Sequence, residues 1–351
     1  MKTINFAGND YLGLAGEPRL ADIMCQVAHD YGVGATSGRS FLGWSEVHEK
    51  LEQDLIRFMG TEDGCILSAC YLGGLVYYKY IAEHCGVVFC DETSHANQFD
   101  GMRAAGLEIR TFRHLDAADL RRQLAAYDPE SDGRAVVATD SVYGMSGEVA
   151  PLREIADAAH SVDAELFVDD AHGAFALGQT GRGAWEACGL EPNEATVLGS
   201  MSKALGVVGG FFIGRAEICG RFKRGPFAPG SSPLPPPVAA ACAAAVELVR
   251  TEPERRDRMW AHARRMREIL RERGIRVVSD RTPIVAMELR DEFEAAALAE
   301  HFESRGLVIR YAKYPSEPRH NLLRSVARAC YTEADLDRFA DAVAQAPRAG
   351  Q

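Results

Sequence analysis

The sequence lacks a membrane span, a basic surplus and a metal-binding cysteine pattern. No uninterrupted apolar run reaches the roughly 18–20 residues that cross a bilayer. The N-terminus, Met1-Lys2-Thr3-Ile4-Asn5-Phe6, has no secretory h-region. Lys and Arg number 39 against 50 Asp and Glu, for a formal net charge of −11. That excludes non-specific nucleic-acid binding, which needs a basic face, but leaves room for a local basic pocket. The nine cysteines are scattered, and no two form a C-x-x-C pair. Several lie inside apolar runs, so they read as reduced core thiols of a cytoplasmic protein, and no metal site is expected. No internal repeat or low-complexity tract is present. What remains is a chain of 351 residues, 47% apolar and 25% charged, ordinary values for a globular protein with a sizeable core.

From residue 65 onward, short apolar runs alternate with helical patterns. The runs predict strands at 65–67, 86–90, 107–112, 135–139, 165–169 and 196–198, with a further strand over 207–213. Helical spacing falls between them at 72–81, 95–105, 117–126 and 152–159. Earlier, Ser45 caps a helix running to Met59, with Val47, Leu51 and Leu55 on one stripe. Strands apolar on both faces and alternating with helices predict an α/β fold with a mostly parallel central sheet. The Pro-, Gly- and Ser-rich stretch 226–237 reads as a linker. Beyond it the pattern is that of a smaller α+β domain. The expected division is an N-terminal segment over 1–30, a large domain over 31–235 and a small C-terminal domain over 236–351.

Ligands in such sheets sit beyond the carboxyl ends of the strands. Five groups fall there: Ser68-Ala69-Cys70-Tyr71, Asp91 to His95, Asp140 to Gly147, Asp169-Asp170-Ala171-His172, and Ser200 to Lys203. Each has a plain alternative, as a helix cap, a hydrogen-bonded core residue or a turn lysine. Their recurrence at successive strand ends points to one shared site. Lys203 lies between two apolar strands, where an ammonium loses hydration and its pKa falls. Such a lysine can form a Schiff base with a carbonyl cofactor. Pyridoxal phosphate needs a lysine, an acid for its pyridine nitrogen, a stacking partner and a phosphate cup. Lys203, Asp169, His95 and the start of the helix at Cys70-Tyr71 supply these, with a hydroxyl from Ser200.

From about Asn5 to Phe339 the chain resembles the α-oxoamine synthases, fold-type-I pyridoxal-phosphate enzymes. The likeness rests on Asn9-Asp10-Tyr11-Leu12-Gly13-Leu14, the Gly-rich loop to Arg39 with His48, and Asp91 to His95. It continues through Gly147 to Pro151-Leu152, Val168 to Gly173, Gly199-Ser200-Met201-Ser202-Lys203 and Leu234-Pro235-Pro236. The resemblance implies that Lys203 carries the cofactor and later moves the α-proton. It implies that Asp169 pairs with the pyridine nitrogen, His95 stacks on the ring and His172 meets the phenolic-oxygen side. Ser200, Ser202 and the backbones of Cys70 and Tyr71 then fall to the phosphate. Ser231 and Ser232 match a pair that serves the neighbouring subunit's phosphate, which implies a homodimer with shared sites. Asn9 and Arg310 match positions that hold the amino-acid carboxylate, and Arg39 is a further anion or structural contact.

The expected reaction is condensation of an amino-acid carbanion with an acyl thioester, carried by CoA or a carrier protein. An aldol-type or substitution coupling with a non-thioester electrophile is the alternative. Three departures from the family pattern bear on the choice. Gly144 stands where a serine is usual, Cys70 where a glycine is usual and Gly74 where an asparagine is common. The loss at Gly144 is expected to alter or enlarge the acyl side of the site. The chain also begins close to Asn9, without the family's usual extension that helps form the acyl-CoA entrance, so a carrier-bound acyl group or another electrophile fits as well as acyl-CoA, in a specialised member of the family.

Overall fold

The computed structural model describes residues 3–225, 232–309, 311, 313 and 317–347. The first strand is β1 (Ile4–Asn5). A seven-stranded sheet follows, built from β2 (Asp63–Leu67), β3 (Cys85–Asp91), β4 (Glu108–Phe112), β5 (Arg134–Asp140), β6 (Glu165–Asp169), β7 (Thr196–Ser200) and β8 (Gly210–Gly214). Its order is β2-β8-β7-β6-β5-β3-β4. β3 to β7 run parallel, and β8 runs antiparallel to both its neighbours, β2 and β7. The reversal follows from chain length. Residues 201–209 alone join β7 to β8. A parallel crossover needs about a dozen residues or more, so this chain can only turn back.

The strands feed two cores by simple alternation. In β5, Val137 joins the core on one face, while Val136 and Ala138 join the core on the other. Helices Pro18–Tyr31, Glu46–Met59, Leu152–His160 and Pro236–Thr251 cover the first face. Helices Leu72–Ile81, Ala96–Ala105 and Ala216–Arg224 cover the second. The helix Ala216–Arg224 had no counterpart in the sequence reading. Pro236 and Pro237, read as linker, form the first turn of the next helix. Proline suits that position, because the first N–H groups of a helix have no intrahelical partner. The Gly-rich loop over 31–43 is not a loose connector. A Cβ on Gly43 would lie 1.9 Å from the Ser37 carbonyl oxygen, so the loop folds tightly on itself.

A second, antiparallel sheet holds β9 (Arg276–Val277), β10 (Ile284–Glu288) and β12 (Leu322–Val326), with β10 in the middle. Strand β11 (Leu307–Val308) pairs instead with β1, in parallel. Met266, Leu270, Val285, Leu298, Phe302 and Phe339 form this region's core. The N-terminal segment stitches the two regions together. Phe6 is buried in the smaller core, and Tyr11, Leu12 and Leu14 in the larger. The Val326 N–H donates to the Phe6 carbonyl at 2.7 Å, and the Ala329 N–H to the Tyr11 carbonyl at 2.8 Å. Asn9 is thereby held at the seam. Among the described residues no helix is long and apolar enough to cross a membrane.

Candidate active site

The carboxyl ends of β5, β6 and β7 open on one cavity of about 310 Å³, with residues just past β2 and β3 on its rim. Of the residues expected from sequence, Asn9, Cys70, Tyr71, His95 and Gly144 line it. So do Asp169, His172, Ser200, Ser202 and Lys203.

Lys203 owes its place to the β7–β8 turn. The Met201 N–H donates to Gly209 at 3.0 Å, the Val207 N–H to Met201 at 3.1 Å and the Gly206 N–H to Lys203 at 3.0 Å. Gly206 has φ +67°, and a Cβ there would sit 2.3 Å from the Ala15 nitrogen. Only glycine meets both demands. Met201, Ala204 and Leu205 are buried beneath the turn, while Lys203 faces the cavity. Loss of hydration lowers its pKa, against the opposing pull of Cys70 and Asp169. The amine is thus eased toward its neutral, nucleophilic form.

Asp169 ends β6 and is 6% exposed. It accepts the Ala171 N–H at 3.1 Å and the Asn97 side-chain amide at 3.2 Å. Asn97 Oδ1 lies 2.8 Å from His95 Nδ1, the ring nitrogen that also accepts the Asn97 N–H at 3.2 Å. His95 is the N-cap of helix Ala96–Ala105. Its own N–H donates to Asp140 at 3.1 Å, and Gln98 donates to Asp140 at 3.0 Å. Burial, reinforced by the charge of Asp169, pushes Asp140 well above the ordinary carboxylate range. Two acids thus stand side by side in different surroundings.

On the opposite side His172 Nδ1 lies 2.6 Å from the Tyr11 hydroxyl. Burial pushes His172 well below the usual imidazole pKa, so the ring is neutral. Burial also raises Tyr11, against the pull of Arg324, to about 12, so its phenol stays protonated. Arg324 comes from β12. It donates to the Ala7 carbonyl at 3.1 Å and to the Asn9 side-chain oxygen, and it lines the cavity. The space at Gly144 is taken up by the His172 ring. A Cβ there would lie 2.5 Å from His172 Nε2, so the missing side chain alters the site without opening a void on that side.

An anion end lies where helix Leu72–Ile81 begins. Its N-cap, Tyr71, makes no side-chain capping bond. The Leu72 and Gly73 N–H groups are taken by the Ala69 and Cys70 carbonyls at 3.2 and 2.8 Å, so what the helix start offers an anion is its positive dipole, with Cys70 and Tyr71 on the cavity lining. Ser200 and Ser202 stand beside it with their hydroxyls 2.9 Å apart. Cys70 abuts Gly210 closely, since a Cβ on Gly210 would lie 2.5 Å from the Cys70 Cα.

Not every expected residue reaches this cavity. Arg39 does not line it. Its guanidinium forks onto Glu52 at 2.6 and 2.9 Å and lies 3.6 Å over the Trp44 ring. Glu52 in turn accepts the Ile66 N–H at 3.1 Å, so Arg39 locks the Gly-rich loop to the sheet edge. The anion-contact reading of Arg39 is corrected accordingly: its charge is already neutralised by Glu52. Ser232 lines a separate apolar cavity. Ser231 and Arg310 lie outside the described residues. Tyr11, Thr93, Asn97, Glu317 and Arg324 face or support the site without having been singled out. Arg324 carried one signal: it is the lone cation in the strand Leu322-Leu323-Arg324-Ser325-Val326.

The assembled groups fit pyridoxal phosphate. They are a desolvated amine, a strand-end carboxylate, a flat imidazole linked to that carboxylate through Asn97, and a helix N-terminus flanked by two hydroxyls. A cavity of this size suits a small cofactor together with a substrate. Comparison with known proteins agrees. The aminotransferase class I and II family matches residues 1–343. The 8-amino-7-oxononanoate synthase of Symbiobacterium thermophilum is 35% identical over 350 residues, 99% of this chain and 89% of that one. The serine palmitoyltransferase of Sphingomonas wittichii superposes with a TM-score of 0.93 at 28% identity, over 99% of this chain and 88% of that one. A serine palmitoyltransferase variant from S. paucimobilis, solved with bound PLP–myriocin, superposes with a TM-score of 0.91 at 30% identity, over 97% and 87%. The chain belongs to the aminotransferase class I and II family and, within it, to the α-oxoamine synthases: it is a pyridoxal-phosphate-dependent transferase that forms carbon–carbon bonds.

Proposed function

We propose that this transferase joins the α-carbon of an amino acid to the acyl carbon of a thioester. The new carbon–carbon bond replaces the carbon–sulfur bond, the thiol leaves, and loss of the carboxylate as CO2 gives an α-aminoketone. The observation that carries this reading is the pairing of Lys203 and Asp169 with Arg324 and Asn9 across one cavity. The relatives' names fit it, one naming an amino-oxo acid product and the other palmitoyl transfer to serine.

Pyridoxal phosphate, when bound, supplies an electron sink for the electrons released at the α-carbon. Lys203 would hold it through the side-chain nitrogen, and desolvation favours the neutral amine that both attack on a carbonyl and uptake of the α-proton require. Asp169, oriented by Asn97 and the Ala171 N–H, would hold a proton on the pyridine nitrogen. His95, fixed at its helix N-cap and lining the cavity, would stack on the cofactor ring. The N-terminus of helix Leu72–Ile81, with Ser200 and Ser202, takes the phosphate. Arg324, which lines the cavity and is bound to the Asn9 side chain, would pair its guanidinium with the substrate carboxylate.

The reading includes a homodimer. Ser232 and Arg39 lie on a largely apolar cavity of about 330 Å³ lined also by Leu72, Leu75 and Val76. Phe41 and Leu42 on the neighbouring loop are 72% and 95% exposed. An apolar surface of this kind suits a second copy, and Ser232 would then serve the partner's phosphate. Nine unpaired thiols fit a reducing compartment such as the cytoplasm.

The test uses holoenzyme with candidate amino acids and with acyl-CoA or acyl-carrier thioesters. Thiol release is expected only when both partners are present. The product mass should equal amino acid plus acyl group less CO2. No thiol from any pair, or an efficient product from a non-thioester electrophile, contradicts the reading.

A further inference from the structure

Gly144 lies in a tight loop over the Lys203 cavity. The loop is fixed at several points. Val142 bridges Val149, the Tyr143 N–H donates to Glu148 at 3.0 Å, and the Gly147 N–H donates to Tyr143 at 2.8 Å. From the small-domain side, the Thr282 hydroxyl donates to the Gly147 carbonyl at 3.1 Å. The loop therefore cannot move aside at little cost.

The His172 backbone is equally constrained. The Ala171 N–H is held by Asp169 at 3.1 Å, and the Gly173 N–H by the Asp170 carbonyl at 3.1 Å. A Cβ on Gly173 would lie 2.0 Å from Asp170 Oδ1, so that turn is close-packed. On one side of the imidazole, Nδ1 meets the hydroxyl of Tyr11, which is wholly buried and cannot follow the ring. On the other side, Nε2 faces Gly144, where a Cβ would come within 2.5 Å. Ordinary contacts of a Cβ begin near 3.4 Å. A side chain at 144 therefore requires the imidazole, the movable partner in this contact, to shift relative to Tyr11.

We propose that Gly144 is a positioning residue: with Tyr11 it forms a slot that sets where His172 Nε2 stands in the cofactor cavity. This rests on the cofactor reading above and deepens it. It moves the effect of Gly144 from the acyl side of the site to His172. Its identity matters because the slot needs an absent methyl group on one side and a hydroxyl on the other. Since the phenol stays protonated and receives Arg324, its single O–H goes to Nδ1, which leaves the Nε2–H directed at the cavity.

The test is a double-mutant cycle on holoenzyme, read by the absorption band of the bound cofactor and by kcat/KM. In the wild-type background, Gly144→Ala is expected to displace the band and lower kcat/KM at least about tenfold. In a His172→Ala background the same change should alter both readouts less than about twofold, because the ring it displaces is gone. Tyr11→Phe removes only the hydroxyl and keeps the packing. It should displace the band in the same direction and lose that effect when His172 is Ala. An equal effect of Gly144→Ala in both backgrounds, or no effect in the wild-type background, overturns the proposal while the cofactor reading stands. A wild-type protein without any cofactor band overturns both.

Discussion

The two walls of the cavity are built differently, and they divide the work. One wall is the rim of the central sheet, where β5, β6 and β7 end in Asp140, Asp169 and Ser200. Its side chains are close-packed from behind and tied to one another through Asn97 and Gln98. The other wall is a seam between β12 and the N-terminal segment, and it contributes Arg324, Asn9 and Tyr11. The sheet wall suits a resident cofactor, which needs fixed donors. The seam suits a substrate that comes and goes. A chain of alternating charges clasps the two at the mouth. His114 on the sheet side meets Asp91 at 3.0 Å and Glu148 at 3.7 Å, and Arg319 on the other side joins Glu148 to Glu317.

Substitutions on each wall should break this division in different ways. Lys203→Ala has the largest effect, a loss of about a thousandfold or more in turnover with an unchanged circular dichroism spectrum. Residual turnover within tenfold of wild type would remove the lysine from its role. Asp169→Asn follows, with about a hundredfold loss in kcat and a displaced cofactor absorption band. On the seam wall the signature changes. Arg324→Met removes a charge-assisted hydrogen bond worth about 1.5–3 kcal/mol, so the amino-acid KM should rise about ten- to a hundredfold. Its cofactor band should move far less than that of Asp169→Asn. If the two variants share one signature, the walls do not divide the work.

The clasp gives the smallest effect and a pH signature. Burial alone would lower the His114 pKa, but Asp91 and Glu148 overcome it and hold the ring at about 9. The unfolded value is near 6.5. Charged His114 therefore stabilises the fold fully below about pH 6.5, and this contribution is lost as pH rises through about 9. His114→Gln should cost about 2 kcal/mol at pH 6, discounted for partial exposure, and much less at pH 9.5. Urea unfolding of both proteins at the two pH values measures it. A gap that widens with pH would reverse the assignment.

The sheet wall was legible in the sequence because its residues directly follow apolar strands. Five strand ends, those of β2, β3, β5, β6 and β7, carried chemistry, and all five face the cavity or its rim. The antiparallel β8 was less legible, since pattern alone does not give direction. The length of the 201–209 connection does. The seam wall was hardest to read. Arg324 sits in the middle of a strand, and its function depends on Asn9, which lies 315 residues away in the chain. Arg39 misled because a Gly-rich loop invites a ligand, and only the packing shows that Glu52 takes its charge. Tyr11 lay in a quoted motif, but its bond to His172 spans 161 positions and has no local signal.

The most direct measurement of the central claim is borohydride reduction of the purified holoenzyme followed by peptide mass spectrometry. The account predicts a single pyridoxyl adduct, on the peptide that contains Lys203, and none after Lys203→Ala. An adduct on another lysine, or none in the wild-type holoenzyme, would contradict it.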